Sequence, residues 1–452
     1  MKKKFFGTDG IRGKTNESFI NEEFLSDLAI ALTLFFGRQK GAKKRLVIGK
    51  DTRLSGYMIE SIMCGIFLSR GWDCISIGVI PTSAISSSVK VGKFDFGVMI
   101  SASHNSYEDN GIKIFNKHGE KLNDNDELEI ENIIESEKEK LLCKSSHIGK
   151  IIKKNFIAQD YVHHLLSTIP KGMKFSQLKV VLDCANGSAY KIAPQIFENI
   201  GIDLILEAVN PNGKNINQKC GALYPKKLSK LVIKNKADLG ISFDGDSDRL
   251  VLCDKNGEIL NGDKSLAIAG SSMLKQNKLK NKAIVSTKMA NIGLKDYLQQ
   301  RGINLFVTDV GDRYVMNEMK KQEINLGGEQ SGHLIFSDHS FTGDGILSAL
   351  QIFTILQIEN KQIHELLEDF RSYPQKLTNI GFNSNSEKIL NNKRLLNFIS
   401  ENVKNNRDDL QILIRKSGTE DLLRVMVQSR SNQLTKNISK QLIKKIKEID
   451  ER

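Results

Sequence analysis

The stretch "FDFGVMISASHN", Phe94 to Asn105, is a short apolar run that ends abruptly in serines, a histidine and an asparagine. An apolar run of this length, bounded by polar residues, is typical of a buried strand. Two similar runs precede it, "KKRLVIGKD" from Lys43 and "RGWDCISIG" around Gly71, and helical periodicity fills the chain between them. Short strands that alternate with helices predict βαβ units and a parallel sheet.

The same plan recurs twice more along the chain. The second copy runs through "LKVVLDCANG" from Leu178, "IGIDLILEA" around Gly201 and "ADLGISFD". The third runs through "NKAIVSTKMAN" from Asn281, "RGINLFVTD" around Gly302 and "EINLGGEQ". Each copy occupies roughly 100 residues, the size of a compact α/β domain. The sequence therefore predicts an α/β fold with three similar domains, each built on a mixed or parallel sheet.

The C-terminal part of the chain follows a different plan. The segment "SYPQKL" around Pro374 is typical of a linker, and the last helix places Ile438, Leu442, Ile446 and Ile449 on one face. We therefore expect a smaller α+β domain at this end. The predicted domain boundaries are 1–155, 156–258, 259–368 and 369–452.

Composition and charge limit the classes of function. The net charge of +13 comes from lysines spread along the chain, without the basic blocks and interleaved aromatics of a nucleic-acid binder. The apolar run "LAIALTLFF" has nine residues, well short of a membrane span, and "MKKKFFGTDG" lacks the apolar core of a signal peptide. Six scattered cysteines without a CxxC pair suit reduced thiols. We expect a cytoplasmic protein that binds neither nucleic acid nor membrane, and whose positive field attracts a small anion.

A polar loop follows the third strand of each copy. These loops begin with Ser101-Ala102-Ser103-His104-Asn105, with Asp244-Gly245-Asp246-Ser247-Asp248-Arg249 and with Glu329-Gln330-Ser331-Gly332-His333. Ligands of open α/β sheets bind beyond the carboxyl ends of the strands. A single site formed by the loops of three domains is therefore predicted.

The acidic loop has the pattern of a metal site. Asp244, Asp246 and Asp248 alternate with small residues, so that an extended backbone turns the three carboxylates to one side. Mg²⁺ is the natural partner of such a set of oxygens. An EF-hand is excluded, because Arg249 and Lys255 stand where that loop needs Gly and Glu. An acidic turn without a metal is the alternative.

The segment "RKSGTEDLLR" suits a phosphate dianion, since it combines guanidinium, hydroxyl and exposed backbone N–H groups. Its candidate ligands are Arg415, Ser417, Gly418, Thr419 and Arg424. The chain has neither a Walker A sequence nor a dinucleotide fingerprint. A small phosphorylated metabolite is therefore favoured over ATP or NAD.

The remaining polar loops suggest covalent chemistry on a sugar. Either Ser103 or Ser101 could carry a phosphoryl group beside the metal, with Lys113 offsetting the developing charge. The carboxylate, amide and hydroxyl of "GGEQSGH" suit sugar hydroxyls. His333 is either a general base or a hydrogen-bonded loop histidine.

Five motifs in a fixed order resemble those of the α-D-phosphohexomutase superfamily: "GTDGIRG" (Gly7 to Gly13), "SASHN", "DGDSDR", "GGEQSGH" and "RKSGTE". The resemblance covers essentially the whole chain. It implies that Ser103 carries the phosphoryl group, that the three aspartates and phosphorylated Ser103 hold one Mg²⁺, and that Arg249 and Lys113 assist transfer. It also implies that Arg12 lies at the wall of the site. By the same resemblance, the substrate ligands are Glu329 and Ser331 for the hydroxyls and Arg415, Ser417, Gly418, Thr419 and Arg424 for the phosphate.

Within the superfamily, "VGDRYV" (Val310 to Val315) and Gln330 resemble the members that interconvert glucosamine 6-phosphate and glucosamine 1-phosphate for UDP-N-acetylglucosamine and cell-wall synthesis. The implied intermediate is glucosamine 1,6-bisphosphate. A homodimer is implied too, as is a kinase or bisphosphate that first phosphorylates Ser103. The general base stays open among His104, His333, Lys113 and Arg249.

Three alternatives to this activity stay open. The nearest is a phosphomannomutase or phosphoglucomutase of the same superfamily. The others are a Mg²⁺-dependent sugar phosphatase and a phosphosugar-binding protein without catalysis. The sequence also departs from the family pattern at Ser106, Lys416 and Asp421, where prolines are usual. Since these changes remove no catalytic group, we expect activity to survive with altered phosphate affinity.

Overall fold

The computed structural model describes residues 3–39, 41–136, 142–153, 156–382, 385–406, 409–416 and 422–451. The predicted fold class is confirmed within these ranges. Three α/β domains are followed by a smaller domain with an antiparallel sheet. The domains are numbered 1 to 4 in chain order by the predicted boundaries, except that residues 259–260 pair with the sheet of the second domain and are described with it. The boundaries themselves stay predictions from the sequence.

Domain 1 contains a mixed sheet with helices on both faces. Its strands are β1 (Phe6–Gly7), β2 (Gly10–Lys14), β3 (Arg45–Lys50), β4 (Asp73–Val79), β5 (Phe96–Ile100), β6 (Asp109–Asn116) and β7 (Ile151–Lys153). Its helices are α1 (Glu22–Gly37), α2 (Ser55–Ser69), α3 (Thr82–Gly92) and α4 (Asp124–Glu135), with a 3₁₀ turn at Ser145–His147. The strand order is β1-β2-β6-β5-β3-β4-β7. All of β5 is buried, because α1 and α2 cover one face and α3 covers the other.

Domain 2 contains a sheet in the order β12-β11-β10-β8-β9. Its strands are β8 (Lys179–Asp183), β9 (Asp203–Glu207), β10 (Leu239–Phe243), β11 (Leu250–Asp254) and β12 (Ile259–Leu260). Its helices are α5 (Phe156–Ser167), α6 (Ile192–Asn199) and α7 (Pro225–Asn235). Every residue of β10 and β11 is buried, which explains their unbroken apolar sequences.

Domain 3 contains a sheet in the order β14-β13-β15-β16. Its strands are β13 (Ala283–Thr287), β14 (Asn304–Thr308), β15 (Leu326–Gly328) and β16 (Leu334–Phe336). Its helices are α8 (Gly262–Lys275), α9 (Ile292–Gln300), α10 (Asp312–Lys321) and α11 (Gly345–Glu359), with 3₁₀ turns at Lys280–Lys282 and Glu365–Leu367. Asn or Asp side chains cap α8, α9 and α11 and so fix where these helices begin.

The three α/β domains share one strand topology. In each, the first strand (β3, β8, β13) pairs in parallel with the second and the third. The third strand (β5, β10, β15) then pairs antiparallel with a fourth. The predicted polar loops are therefore the connections of three equivalent hairpins. This antiparallel fourth strand explains why each sheet is mixed. Each polar loop therefore lies at the carboxyl end of the third strand of its own sheet.

Apolar packing joins the three α/β domains but separates the fourth. One continuous core contains residues of domains 1, 2 and 3. Helix α11 reaches from domain 3 into domain 2, where Phe353 contacts Phe175 and Phe197 at ring-centroid distances of 5.9 and 5.5 Å. A separate core lies within domain 4.

Domain 4 is an antiparallel sheet, in the order β17-β19-β18, covered by helices. Its elements are β17 (Gln375–Gly381), α12 (Ser386–Leu390), α13 (Lys393–Asn405), β18 (Leu410–Lys416), β19 (Leu422–Ser429) and α14 (Asn432–Asp450). The predicted apolar face of the last helix is buried against this sheet. Pro374 accepts a backbone hydrogen bond from Ser429, which fixes the entry of the linker.

Two further features agree with the composition. Within the described ranges, no helix combines the length and the apolar character needed to cross a membrane. The six cysteines are free thiols, and all but Cys143 are buried.

Candidate active site

The serine loop (residues 101–106) and the acidic loop (residues 244–249) meet directly. Ser103 Oγ donates a hydrogen bond of 2.6 Å to Asp244 Oδ2, and both residues are fully buried. Ser103 has a φ of +52°, which is unusual for a residue other than glycine. Gly245 allows the close approach, because a Cβ there would lie 2.5 Å from the Ser103 carbonyl oxygen.

The same contacts separate the two candidate serines. Ser101 Oγ donates to Asp51 and accepts the backbone N–H of Ser103 at 2.9 Å. Its hydroxyl is thus used inside domain 1. Ser103 is the serine whose hydroxyl faces the acidic loop, a choice that the sequence spacing left open.

Asp244, Asp246 and Asp248 form an acidic cradle. One carboxylate oxygen from each lies within 4.8 Å of the others, as the alternating sequence predicts. Burial, and then the charges of Asp248 and Asp246, raise the pKa of Asp244 to about 7. Among the hydrogen bonds of the described residues, the buried Oδ1 atoms of Asp246 and Asp248 have no partner. These buried oxygens fit a hard divalent cation, which would supply the ligand bonds they lack.

Lys113 supplies positive charge beside this cradle. Its Nζ lies 2.7 Å from Asp246 Oδ2, 2.9 Å from Asp248 Oδ2 and 2.9 Å from Asp9 Oδ2. Burial opposes the charge, but the three carboxylates outweigh it and hold the pKa of Lys113 well above its ordinary value. Lys113 is therefore an ammonium donor in this structure.

The "GTDGIRG" motif lines the same site through Asp9 and Arg12. Arg12 pairs with Asp9, which also contacts Lys121, and Lys121 pairs in turn with Asp312 of domain 3. Despite burial, the charges of Lys113 and Lys121 hold the pKa of Asp9 well below its usual range. Sequence reasoning named Arg12 for the wall of the site but missed Asp9, Lys121 and Asp312, although Asp9 and Asp312 lie in the motifs that carried the resemblance.

The two candidate histidines have different surroundings. His104 Nδ1 lies 3.3 Å from Ser103 Oγ, and burial followed by the charge of Arg249 lowers the pKa of His104 to about 2. His333 lies between two carboxylates, with Nδ1 at 3.7 Å from Asp248 and Nε2 at 3.3 Å from Asp312. Although burial opposes protonation, these carboxylates raise the pKa of His333.

Arg249 lies between the cradle and the sugar loop (residues 329–333). Its Nε is 3.9 Å from both Asp244 and Asp248, and its backbone N–H donates to Asp244 Oδ1 at 3.2 Å. Burial opposes the charge, but the carboxylates, Glu329 among them, raise the pKa of Arg249 above its ordinary value. A guanidinium in these surroundings stays charged and acts as a donor.

The sugar loop places Glu329 near Arg249 and Arg415, whose pKa values it affects. Glu329 Oε1 accepts the backbone N–H of Gly311 at 3.0 Å, and burial raises the pKa of Glu329. Ser331 is exposed. The amide of Gln330, which the sequence grouped with these two, donates instead to Asp263 inside domain 3 at 2.8 Å.

Domain 4 contributes the arginine pair, Arg415 and Arg424. These residues are direct partners across the antiparallel strands β18 and β19. Burial, and then the charge of Arg424, lower the pKa of Arg415, while Glu329 of the sugar loop opposes this change. Two guanidiniums side by side favour an anion between them. The predicted ligands Ser417, Gly418 and Thr419, and also Asp421, lie outside the described residues.

Family models match all four parts of the chain in order. They are the alpha/beta/alpha domains I, II and III of phosphoglucomutase/phosphomannomutase, at residues 3–141, 159–257 and 261–373, and its C-terminal domain at residues 377–445.

Curated relatives match over almost the whole length. Phosphoglucosamine mutase of Geotalea uraniireducens is 44% identical over 429 residues, 95% of this chain and 94% of the relative. The enzyme of the same name from Phenylobacterium zucineum is 40% identical over 448 residues, 99% of each chain.

Solved structures have the same fold at low sequence identity. A phosphoglucomutase/phosphomannomutase family protein of Burkholderia thailandensis matches with a TM-score of 0.81 at 20% identity, covering 98% of this chain and 97% of that one. Aspergillus fumigatus N-acetylphosphoglucosamine mutase, solved with GlcNAc-6P and magnesium, matches with a TM-score of 0.69 at 17% identity, covering 99% and 96%. From the family models and the full-length relatives it follows that this chain belongs to the phosphoglucomutase/phosphomannomutase family.

Proposed function

We propose that this protein interconverts glucosamine 6-phosphate and glucosamine 1-phosphate, through a phosphoserine at Ser103. The observation that carries the proposal is the contact of Ser103 Oγ with the acidic cradle, 2.6 Å from Asp244. The relatives that match over nearly the full length are phosphoglucosamine mutases, which favours the amino sugar over glucose or mannose. The product is the precursor of UDP-N-acetylglucosamine and of the cell wall, as the resemblance implies.

The reaction is two phosphoryl transfers in opposite directions. The free hydroxyl oxygen of the substrate attacks the phosphorus of phosphorylated Ser103, so that a new P–O bond forms as the bond to Oγ breaks. The hydroxyl proton passes to a base, and Oγ takes up a proton as it leaves. The resulting glucosamine 1,6-bisphosphate turns over, and Ser103 Oγ attacks its other phosphorus. Dissociation then leaves the isomeric monophosphate and phosphorylated Ser103.

The four candidate bases divide by position and charge. Lys113 and Arg249 are cations surrounded by carboxylates, and we assign them to stabilising the charge on the transferring oxygens. His104 has a ring nitrogen 3.3 Å from Ser103 Oγ, but its low pKa keeps it neutral, so we assign it to orienting that oxygen by a hydrogen bond. His333 lies between Asp248 and Asp312, and its Nε2 accepts the backbone N–H of Gly343 at 3.0 Å. We therefore assign its Nδ1 side to orienting Asp248.

Asp244, Asp246, Asp248 and the phosphorylated Ser103 would hold one Mg²⁺. The buried Oδ1 atoms of Asp246 and Asp248, which have no hydrogen-bond partner among the described residues, support this assignment. When bound, the ion polarises the phosphoryl oxygens and neutralises charge that develops during transfer. Magnesium in the Aspergillus enzyme of the same fold supports the choice of metal.

The substrate would be held at both ends. Glu329 and Ser331 are assigned to the sugar hydroxyls. The arginine pair, with Ser417, Gly418 and Thr419, is assigned to the phosphate that is not reacting, and Arg12 to the wall of the site. The effect of Glu329 on the pKa of Arg415 supports a site in which the two ends lie close together. Domain 1 thus carries the phosphoserine, domain 2 the metal, domain 3 the sugar contacts and domain 4 the phosphate contacts.

The test compares rates on glucosamine 6-phosphate, glucose 6-phosphate and mannose 6-phosphate, with Mg²⁺, a trace of the matching 1,6-bisphosphate, and free phosphate measured alongside. We expect a strong preference for the amino sugar, which Ser103→Ala abolishes. Ser106→Ala, in the same loop but exposed, is the matched control and should retain activity.

Each other outcome points to a different function. A preference for glucose or mannose would keep the mechanism and reject the amino sugar. Phosphate release without isomerisation would replace the mutase with a phosphatase. Binding without either reaction would leave a phosphosugar-binding protein.

Three further properties stay predictions from the resemblance and the composition. They are a homodimer, priming of Ser103 by a kinase or by a sugar bisphosphate, and a cytoplasmic location.

A further inference from the structure

The serine loop reaches the cradle in a conformation that needs support. Ser103 has a φ in the left-handed region, where a side chain with a Cβ is strained. Ser106 stands where a proline would restrict the backbone, so the loop lacks that source of rigidity. Strained backbone persists only where the surrounding structure holds it in place.

Arg53 holds the loop from inside domain 1. It is fully buried, and its charge is balanced by Asp51, which is also buried. Its Nη2 donates to the carbonyl oxygens of Ser103 at 3.1 Å and Asn105 at 2.7 Å, and its Nε donates to that of Ser106 at 3.3 Å. Hydrogen bonds from a guanidinium are stronger than neutral ones and fix direction as well as distance.

Asn217 holds the same two carbonyls from domain 2. Its Nδ2 donates to Ser103 O and to Asn105 O, at 2.9 Å each. Its own position is fixed by a backbone hydrogen bond to Ala185 and by a φ of +58°, a conformation that asparagine tolerates. Two carbonyl oxygens of the serine loop therefore receive donors from two domains.

We propose that Arg53 and Asn217 form a carbonyl clamp, a pair of positioning residues that sets Ser103 Oγ against the acidic cradle for phosphoryl transfer. Neither residue touches the reacting atoms; both act through the backbone of residues 103–106. The inference rests on the proposed function. It adds which residues align the phosphoserine with the acidic cradle. Displacements of about 1 Å in such sites cost on the order of 100-fold in rate.

The clamp makes a distinctive kinetic prediction. The sugar and phosphate contacts are assigned to domains 3 and 4, so loosening the serine loop should leave substrate binding intact. Removing the Asn217 amide should therefore lower kcat by roughly 10- to 100-fold with little change in KM. With kcat expressed per folded molecule, a residue that only stabilised the fold would lower the melting temperature and leave both kcat and KM unchanged.

Asn217→Gly is the principal variant, because glycine accepts the positive φ and loses only the amide. Asn215→Ala is the matched control: it lies in the same segment, and its side chain donates to Asn210 rather than to the serine loop. We expect the control to keep the wild-type kcat. If Asn217→Gly also kept it, or raised KM alone, the clamp would be rejected.

Arg53 provides the second half of the test. Arg53→Lys keeps the charge but not the planar fork, and should retain more activity than Arg53→Met. Because Arg53 and Asn217 share acceptors, the combined Arg53→Lys and Asn217→Gly effects on kcat should not be additive, whereas independent residues would give additive effects. Should the Arg53 variants fail to fold, Asn217→Gly decides the question alone.

A second readout separates failure of the clamp from failure of the proposed function. Amide hydrogen exchange in residues 101–106 should be faster in Asn217→Gly than in wild type or Asn215→Ala. A wild-type protein without mutase activity would reject the function, and the exchange rates would still test the clamp. Equal exchange in all three proteins would reject the clamp even if the mutase activity were found.

Discussion

Asp263 connects the sugar loop to the linker of domain 4 through side-chain hydrogen bonds. Its Oδ2 accepts from the Gln330 amide at 2.8 Å and from the backbone of Asn291 at 2.9 Å. The Asn291 side chain in turn donates to the Tyr373 carbonyl at 3.0 Å. Asp263 is almost fully buried, and burial raises its pKa to about 6. Burial disfavours the charged form of a carboxylate. Such a group therefore lowers the stability of the folded protein at pH values where the carboxylate is ionised in the unfolded chain.

The stability of the protein should therefore depend on pH through Asp263. Its folded pKa of about 6 lies above its ordinary value of 3.8. The unfolded chain therefore loses the proton first as pH rises. The cost to folding is absent below pH 3.8, grows up to pH 6 and is constant above it, at about 3 kcal/mol.

Asp263→Asn removes the ionisation but keeps an oxygen for both donors. We expect a higher melting temperature for this variant at pH 8, and a gain that shrinks as pH falls from 6 to 4. Calorimetry at a series of pH values measures it. A gain that is the same at every pH, or a loss at pH 8, would contradict the assigned pKa.

The chemical roles of single residues could be predicted from the sequence more readily than the residues they contact in the fold. The three aspartates were predicted together because their alternation turns them to one side, and the structure places them within 4.8 Å of one another. Between Ser101 and Ser103 no spacing rule decides. That choice depends on Asp51, fifty residues earlier in the chain, which uses the Ser101 hydroxyl.

Hairpins bring the loops of domains 1 and 2 into contact, and glycine sets how closely they approach. A Cβ at Gly245 would lie 2.5 Å from the Ser103 carbonyl oxygen, 2.8 Å from Ile216 Cδ1 and 2.9 Å from Asn217 Nδ2. The backbone carbonyl and the buried isoleucine have little room to move. A side chain at this position must therefore push the acidic loop away from the serine loop.

Gly245→Ala should separate these loops and lower kcat by about 100-fold, since the alignment of Ser103 with the cradle would be lost. Gly65→Ala is the control. It lies in helix α2 with no atom within 4 Å of the added methyl group, and it should stabilise the protein by about 0.5–1 kcal/mol. Steady-state kinetics and thermal unfolding of both variants test the prediction. Wild-type kcat in Gly245→Ala would show that the loops tolerate the separation.

Helices and strands could be predicted from the sequence where apolar residues recur with a helical or strand period. The parallel strands and the apolar face of α14 were predicted and are confirmed. The antiparallel fourth strands were not assigned, because a fully buried strand such as β11 has the same unbroken apolar pattern whichever way it runs. The crossing of α11 into domain 2 left no signal in the local pattern either, because it depends on contacts between distant segments.

At the scale of the whole molecule, polar contacts join domain 4 to domain 3. Gln428 of domain 4 is buried at the junction with domain 3, where its Nε2 donates to Ala290 O at 2.9 Å and its Oε1 accepts from Ile292 N at 3.1 Å. Arg430 pairs with Asp296 of domain 3 at 2.8 Å. These polar contacts set the orientation of the arginine pair relative to the sugar loop.

Gln428→Ala should loosen this junction and weaken phosphate binding. We expect KM to rise several-fold for both phosphosugars, while phosphorylation of Ser103 by bisphosphate persists, because domains 1 and 2 are unchanged. Gln433→Ala is the control, since it removes an exposed glutamine from the same domain. Kinetics and small-angle scattering would measure the effect. An unchanged KM with an unchanged scattering profile would show that other contacts hold domain 4.

The contacts of Phe353 also determine how this chain can be divided. Because α11 completes the core of domain 2, a fragment that stopped near residue 258 would expose the faces of Phe175 and Phe197 that Phe353 covers. A cut in the linker near residue 370 would instead pass between two separate cores. We therefore expect the chain to unfold as two cooperative units, domains 1 to 3 together and domain 4. An insertion, a fusion or a truncation would be tolerated at the second boundary and not at the first.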